Sequence, residues 1–82
     1  MDGKLEIEIK KLVSRIARVH LSKVDIKADL FRDLGLDSLK GIEIIAAVER
    51  KYKVRFKRSM LAKVRNIGNM IELIRDAKKQ QA

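Results

Sequence analysis

The sequence predicts an all-α protein: a small four-helix bundle of three main helices and a short third helix, with a long loop between the first two helices. The chain has no Pro and only 4 Gly in 82 residues, which favours helices over a turn-rich β fold. Apolar residues also recur at helical spacing in three segments. A composition of 46% hydrophobic and 38% charged residues is typical of a folded domain, and the length predicts a single domain over residues 1–82.

The first helix is predicted over residues 4–20. The start of this segment, Leu5 to Ile9, also alternates like a strand, but no neighbouring segment offers a partner strand. The predicted core-facing side comprises Leu5, Ile9, Leu12, Val13, Ile16 and Val19.

The connection over residues 21–36 is too apolar for a fully solvated loop. We expect it to lie across the helices and to bury some of its side chains, with Asp29 capping a single helical turn at residues 29–34. The candidates for burial are Val24, Ile26, Leu30, Phe31 and Leu34.

The second helix is predicted over residues 38–53, with Leu39 and Ala46 as its exposed apolar positions. A short third helix capped by Ser59 follows within residues 54–65, and a last helix capped by Asn66 spans residues 67–79. The apolar face of the second helix is Leu39, Ile42, Ile45, Val48 and Tyr52, and that of the last helix is Ile67, Met70, Ile71, Ile74 and Ala77.

The turn into the second helix carries the main candidate site. Gly35 suits a tight turn, Asp37 is a good N-cap, and Ser38 falls in the first turn, where free N–H groups and the helix dipole favour a bound anion. An exposed serine at such a position is suited to carrying a phosphate group. From these residues alone, a helix cap with an incidental serine remains the simpler interpretation.

The sequence has few residues suited to other catalytic or metal-binding sites. There is no Cys, and His20 is the single histidine, so no metal site is predicted. A triad of Ser38, His20 and an aspartate has no support from spacing, and the scattered glycines form no phosphate loop. No apolar run is long enough for a signal peptide or a membrane span, which predicts a cytoplasmic protein.

The net charge of +9 predicts an acidic partner. Eight Lys or Arg and no Asp or Glu lie between Arg50 and Arg65. Such a run is compatible with nucleic-acid binding, with docking to an acidic protein, or with a solvated surface. The whole chain has three aromatic residues, which are too few for a surface on which bases stack, so no nucleic-acid partner is expected. An anionic membrane surface is a weaker candidate partner.

The stretch Leu30-Phe31-Arg32-Asp33-Leu34-Gly35-Leu36-Asp37-Ser38-Leu39, placed between the first helix and a serine-headed second helix, resembles the attachment-site motif of the acyl carrier protein family. The resemblance covers nearly the whole chain and extends to the carrier domains of polyketide and peptide synthetases. It implies a carrier that is not an enzyme, serving fatty-acid, lipid or polyketide-type biosynthesis. The alternative is a basic helical module that binds nucleic acid or an acidic protein, with Ser38 only a cap residue.

By this resemblance, Ser38 receives covalent 4′-phosphopantetheine from coenzyme A through a phosphopantetheinyl transferase, and Asp37 helps to hold the transferase's metal ion. Acyl-loading, acyl-transfer or condensing enzymes are the further partners. Fatty-acid carriers of the family are usually acidic along the second helix. This helix keeps Glu43 and Glu49 but places Lys40, Arg50, Lys51 and Lys53 around them, so a specialised partner with an acidic docking face is expected. The predicted partner-binding residues are Leu39, Lys40, Glu43, Ala46, Arg50, Lys51, Lys53 and Arg55, and the predicted acyl pocket is Ile45, Met60 and Leu61.

Overall fold

A computed structural model describes residues 3–81, with side chains described for residues 3–79. Helices α1 (Gly3–Ala17), α2 (Ser38–Tyr52), α3 (Arg58–Leu61) and α4 (Ile67–Gln81) follow one another, with a one-turn 3₁₀ helix at Leu21–Lys23. The described part of the chain contains no strand, only an isolated bridge between Asp29 and Asn66. The predicted four-helix, all-α fold is therefore confirmed, and the alternating segment from Leu5 to Ile9 is helical rather than a strand.

The core lies where α1 packs against α2 and α4. Ile9 and Val13 from α1 are fully buried, and every predicted apolar residue of α4 is buried as well. A polar contact at the edge of the core joins α1 to α2, because the Tyr52 hydroxyl donates to the Glu8 carboxylate at 2.7 Å. The fully buried large side chains are Ile9, Val13, Ile44, Val48, Ile67, Met70 and Ile74.

The predicted apolar face of α2 is wrong at Ile42. Its side chain is 66% exposed, whereas Ile44, which was outside the predicted stripe, is 1% exposed. Ile44 and Val48 are four residues apart and so share the face that meets the core. Leu39 and Ile42 lie on the opposite side. The prediction failed because both faces of this helix are apolar, and spacing alone does not indicate which of them is buried.

The long loop packs onto the bundle as predicted, with Val24, Leu30 and Leu34 buried, whereas Phe31 remains 47% exposed. Asp29 caps the predicted turn, accepting hydrogen bonds from the Phe31 and Arg32 N–H groups at 2.9 and 2.8 Å.

The loop is also hydrogen-bonded to the beginning of α4. The Leu30 N–H donates to the Arg65 carbonyl at 2.8 Å, and the Gly68 N–H donates to the Ile26 carbonyl at 3.2 Å. A Cβ at Gly68 would lie 3.6 Å from the Ile26 side chain, an ordinary contact, but 3.3 Å from Asn66 Oδ1, which is tight.

Two helices end with a basic residue in the left-handed region. Arg18 has φ 58° and Lys53 has φ 55°. In each case the next N–H bonds back across the last turn: Val19 to the Ser14 carbonyl and Val54 to the Glu49 carbonyl, both at 3.2 Å. Glycine is the usual residue at this position of a helix end, because it alone lacks a Cβ that clashes there.

The caps of the last two helices differ from one another. Asn66 caps α4 as predicted, because its Oδ1 accepts from the Asn69 N–H at 2.8 Å, while the Asn69 Oδ1 accepts from the Arg65 N–H at 3.0 Å. The prediction that Ser59 caps α3 is wrong. Lys57 is the N-cap residue, and its side chain makes no cap hydrogen bond. Ser59 is the second residue of the helix.

Candidate functional site

Ser38 is held at the beginning of α2 by a turn whose flanking leucine side chains are buried. Gly35 has φ 69°, and the Leu36 N–H donates to the Leu30 carbonyl at 3.1 Å. Leu34 and Leu36 on either side of this glycine are buried. Asp37 is the N-cap, and its Oδ1 accepts from the Lys40 N–H at 2.9 Å. Ser38 is therefore the first helical residue, exposed and next to a carboxylate.

A cavity of about 360 Å³ opens beside Ser38. Its wall is mainly apolar, and Glu49 is its one acidic side chain. The Glu49 carboxylate accepts from the Phe56 N–H at 3.0 Å, so this charge is already hydrogen-bonded. The lining residues are Leu30, Phe31, Leu36, Ser38, Gly41, Ile42, Ile44, Ile45, Ala46, Glu49, Leu61, Val64 and Met70.

The predicted pocket residues do not all face this cavity. Ile45 and Leu61 line it, but Met60 lines a separate groove between α3 and α4. Neighbouring residues of a helix point in directions about 100° apart, so Met60 and Leu61 cannot share one wall. The sequence analysis missed Phe31 and Ile42 as lining residues because it assigned both to the core.

Comparison with known proteins finds one family over most of the chain. The family described as "Phosphopantetheine attachment site" matches residues 8–74. An acyl carrier protein from Helicobacter acinonychis is 30% identical over 71 residues, covering 87% of this chain and 91% of the relative. An acyl carrier protein from Saccharopolyspora erythraea is 31% identical over 77 residues, covering 93% of this chain and 81% of the relative.

The chain belongs to the acyl carrier protein family. A further relative, polyketide-8 synthase acyl carrier protein 2 from Streptomyces avermitilis, is 28% identical over 67 residues, covering 82% of this chain and 77% of that protein. The protein is thus a carrier rather than an enzyme, its cofactor is covalent 4′-phosphopantetheine, and it works with phosphopantetheinyl transferases and biosynthetic enzymes. Neither the family match nor these relatives support the alternative of a basic helical module that binds nucleic acid or an acidic protein, with Ser38 only a cap residue.

The site of this carrier protein fits such a cofactor. A phosphodiester needs an exposed hydroxyl, which Ser38 offers at a helix N-terminus that favours negative charge. The described residues hold no cluster of His, Cys, Asp and Glu suited to a metal ion, and the His20 ring lies 2.9 Å from the Ser22 hydroxyl. Within the part of the chain that the structure describes, no helix is long and apolar enough to cross a membrane.

The structure divides the predicted partner-binding residues of the carrier between two sides of α2. Helical spacing places Leu39, Glu43, Ala46, Arg50 and Lys53 on one outer face, where all are exposed except the half-buried Ala46. Arg55 is exposed just beyond the helix.

Lys40 and Lys51 lie on the side of α2 that faces α1. The Lys40 ammonium donates to the Ile16 carbonyl at 3.3 Å, and the Lys51 ammonium lies 6.0 Å from the centre of the Tyr52 ring. Lys40 thus contacts α1, whereas Lys51 is exposed beside Tyr52, and neither lies on the outer face with Leu39 and Glu43.

Proposed function

We propose that Ser38 carries the 4′-phosphopantetheine arm and that the protein presents acyl groups to enzymes of fatty-acid, lipid or polyketide-type biosynthesis. The observation that supports this most directly is an exposed serine at the capped beginning of α2, beside the mouth of an apolar cavity. A separate transferase would form the phosphodiester from coenzyme A. Asp37, whose carboxylate flanks Ser38, would help that transferase to hold its metal ion.

We propose that the cavity shelters the acyl group. When bound, the arm supplies a terminal thiol that holds the acyl group as a thioester. Ile45 and Leu61, with Leu36 and Val64, would then keep an alkyl chain out of water, and each buried methylene favours this by about 0.8 kcal/mol.

We further propose that residues 1–82 act as a single domain in the cytoplasm. Its acyl-loading, acyl-transfer or condensing enzymes would approach the outer face of α2 and carry an acidic docking face. The eight Lys or Arg between Arg50 and Arg65 support this choice of partner.

The attachment site is tested by intact mass. The protein is incubated with coenzyme A and a broad-specificity phosphopantetheinyl transferase, and we expect the mass of one arm to be added. Ser38→Ala should abolish the gain, whereas Ser59→Ala, a matched control at another exposed helical serine, should retain it. A gain that persists in Ser38→Ala, or no gain with several such transferases, would contradict the proposal.

A further inference from the structure

A cationic patch surrounds the end of α2 and the beginning of α3. We define it as Arg50, Lys53, Arg55, Lys57 and Arg58, all of which are exposed. No Asp or Glu occurs from Arg50 to Ile71, and the nearby Glu49 carboxylate already accepts from the Phe56 N–H. The patch therefore concentrates positive charge around the end of α2.

Two members of the cationic patch stand where local structure favours another residue type. Lys53 has φ 55° at a helix end that suits glycine. Lys57 is an N-cap without a side-chain cap bond, where Ser, Thr, Asp or Asn is preferred. Arg18 has the same backbone conformation as Lys53 outside the patch, so the charge concentrated around the end of α2, rather than the conformation of Lys53, is the feature that indicates docking.

An apolar area occupies the other end of the same face of α2. Leu39 and Ile42 are each 66% exposed, Phe31 is 47% exposed, and Ile42 and Phe31 line the cavity mouth together with Ser38. Ile42 and Lys53 are eleven positions apart, which at 1.5 Å per residue is about 16 Å along the helix. Exposed apolar residues and Arg side chains are both enriched at protein–protein interfaces.

We infer that this two-part surface docks on a protein that offers an apolar socket where the arm enters and a cluster of carboxylates about 16 Å away, with Lys53 as the anchoring cation. The inference rests on the proposed function, because the apolar area is defined by its position beside Ser38. Carboxylates complement the patch and would also exclude partners whose docking sites are basic. Nucleic acid, an anionic membrane and a second copy of the chain are the other outcomes to be tested.

The binding test uses one condensing enzyme in two forms: one with Lys and Arg around its active-site entrance, and one with those residues changed to Glu. Dissociation constants are measured for the full chain with and without the arm, at about 0.15 and 0.5 M NaCl. We expect the acidic form to bind at least about tenfold more tightly, and the difference to shrink at the higher salt concentration.

Lys53→Gly separates the role of this residue in docking from its role in the fold. We expect this variant to have a higher melting temperature, measured at about 0.5 M NaCl so that the helix dipole is screened. We also expect it to bind the acidic form of the enzyme about threefold more weakly. Arg18→Gly is the matched control, because Arg18 has the same backbone conformation at the end of α1, outside the cationic patch. It should raise the melting temperature and leave binding unchanged.

Each outcome supports or overturns the inference. Equal effects of Lys53→Gly and Arg18→Gly on binding would overturn the anchoring role. Tighter binding to phosphatidylglycerol vesicles or to 20-base-pair DNA than to the acidic enzyme, or concentration-dependent dimerisation through the patch, would overturn the choice of partner. If Ser38 accepts the arm but the two enzyme forms bind alike, this inference and the proposed acidic docking face fail while the proposed attachment stands. If no arm is attached while the charge preference persists, the proposed attachment fails instead.

Discussion

Asp37 combines a structural contact with the chemistry proposed beside Ser38. Its carboxylate accepts from the Lys40 N–H at 2.9 Å and so caps α2. The same carboxylate, next to the proposed attachment serine, would help the transferase to hold its metal ion. One substitution to alanine would therefore disturb both the helix and the modification, and a second variant is needed to separate them.

We predict that Asp37→Ala lowers the free energy of unfolding by about 1 kcal/mol, because the cap is lost. Asp37→Ser should retain most of that stability, since serine is also a good N-cap, but should slow arm transfer as much as Asp37→Ala does. Urea denaturation and the rate of mass gain with coenzyme A check the two effects. If Asp37→Ser is loaded at the wild-type rate, the carboxylate has no role in transfer.

Helix α2 has an apolar residue on nearly every side, and only its neighbours determine which side is buried. Ile44 is in contact with the core, whereas Ile42, two residues earlier, is 66% exposed at the cavity mouth. The same residue type therefore contributes to folding at one position and is available to a ligand or partner at the other.

We predict that Ile44→Ala costs about 2–5 kcal/mol of unfolding free energy, because it leaves a cavity in the core. Ile42→Ala should change stability by less than about 0.5 kcal/mol, as is usual at exposed positions. Chemical denaturation of the two variants is the measurement. A large loss in Ile42→Ala would mean that α2 is rotated from its described orientation.

The loop before α2 depends on a hydrogen-bonded carboxylate at Asp29. The N–H groups of Arg32 and Phe31, and the Arg65 guanidinium at 3.1 Å, hold the pKa of Asp29 below its ordinary value of 3.8. Because the pKa is lower in the folded state, this carboxylate stabilises the fold above the unfolded pKa, and the contribution is lost as the pH falls through the folded pKa.

We predict that acidification from about pH 6 to pH 3 lowers the melting temperature of the wild type more than that of Asp29→Asn. The asparagine retains a side-chain oxygen for the turn but has no charge to lose. Asp25→Asn, at an exposed aspartate of the same loop, is the control and should follow the wild type. The same pH dependence in wild type and Asp29→Asn would contradict the assignment.

The whole molecule carries a net charge of +9 on 82 residues. Like charges on so small a protein repel one another in the compact state, and the cationic patch concentrates part of that repulsion around the end of α2. Within the described part of the chain, ion pairs join Lys10 to Glu6 and Arg65 to Asp29.

We predict that raising NaCl from about 20 to 500 mM increases the melting temperature by about 4–8 °C, equivalent to about 1 kcal/mol, because salt screens the self-repulsion. A Lys57→Glu, Lys63→Glu double variant has a lower net charge and should show a smaller increase. Differential scanning calorimetry measures both. A melting temperature that falls with salt would show that attractive pairs outweigh the repulsion.

The all-α class, the three long helices and the turn that presents Ser38 follow from the sequence, because helical spacing, Asp37, Gly35 and Asn66 act through neighbours in the chain. The motif around Ser38 also indicated the family correctly. Other features depend on how distant segments pack, which periodicity does not encode. They are the burial of Ile44 instead of Ile42, the position of Met60 away from the cavity and the cap at Lys57. Tertiary packing thus sets which apolar side chains remain exposed beside Ser38, because a helix apolar on several sides is oriented by α1, α4 and the loop that cover it.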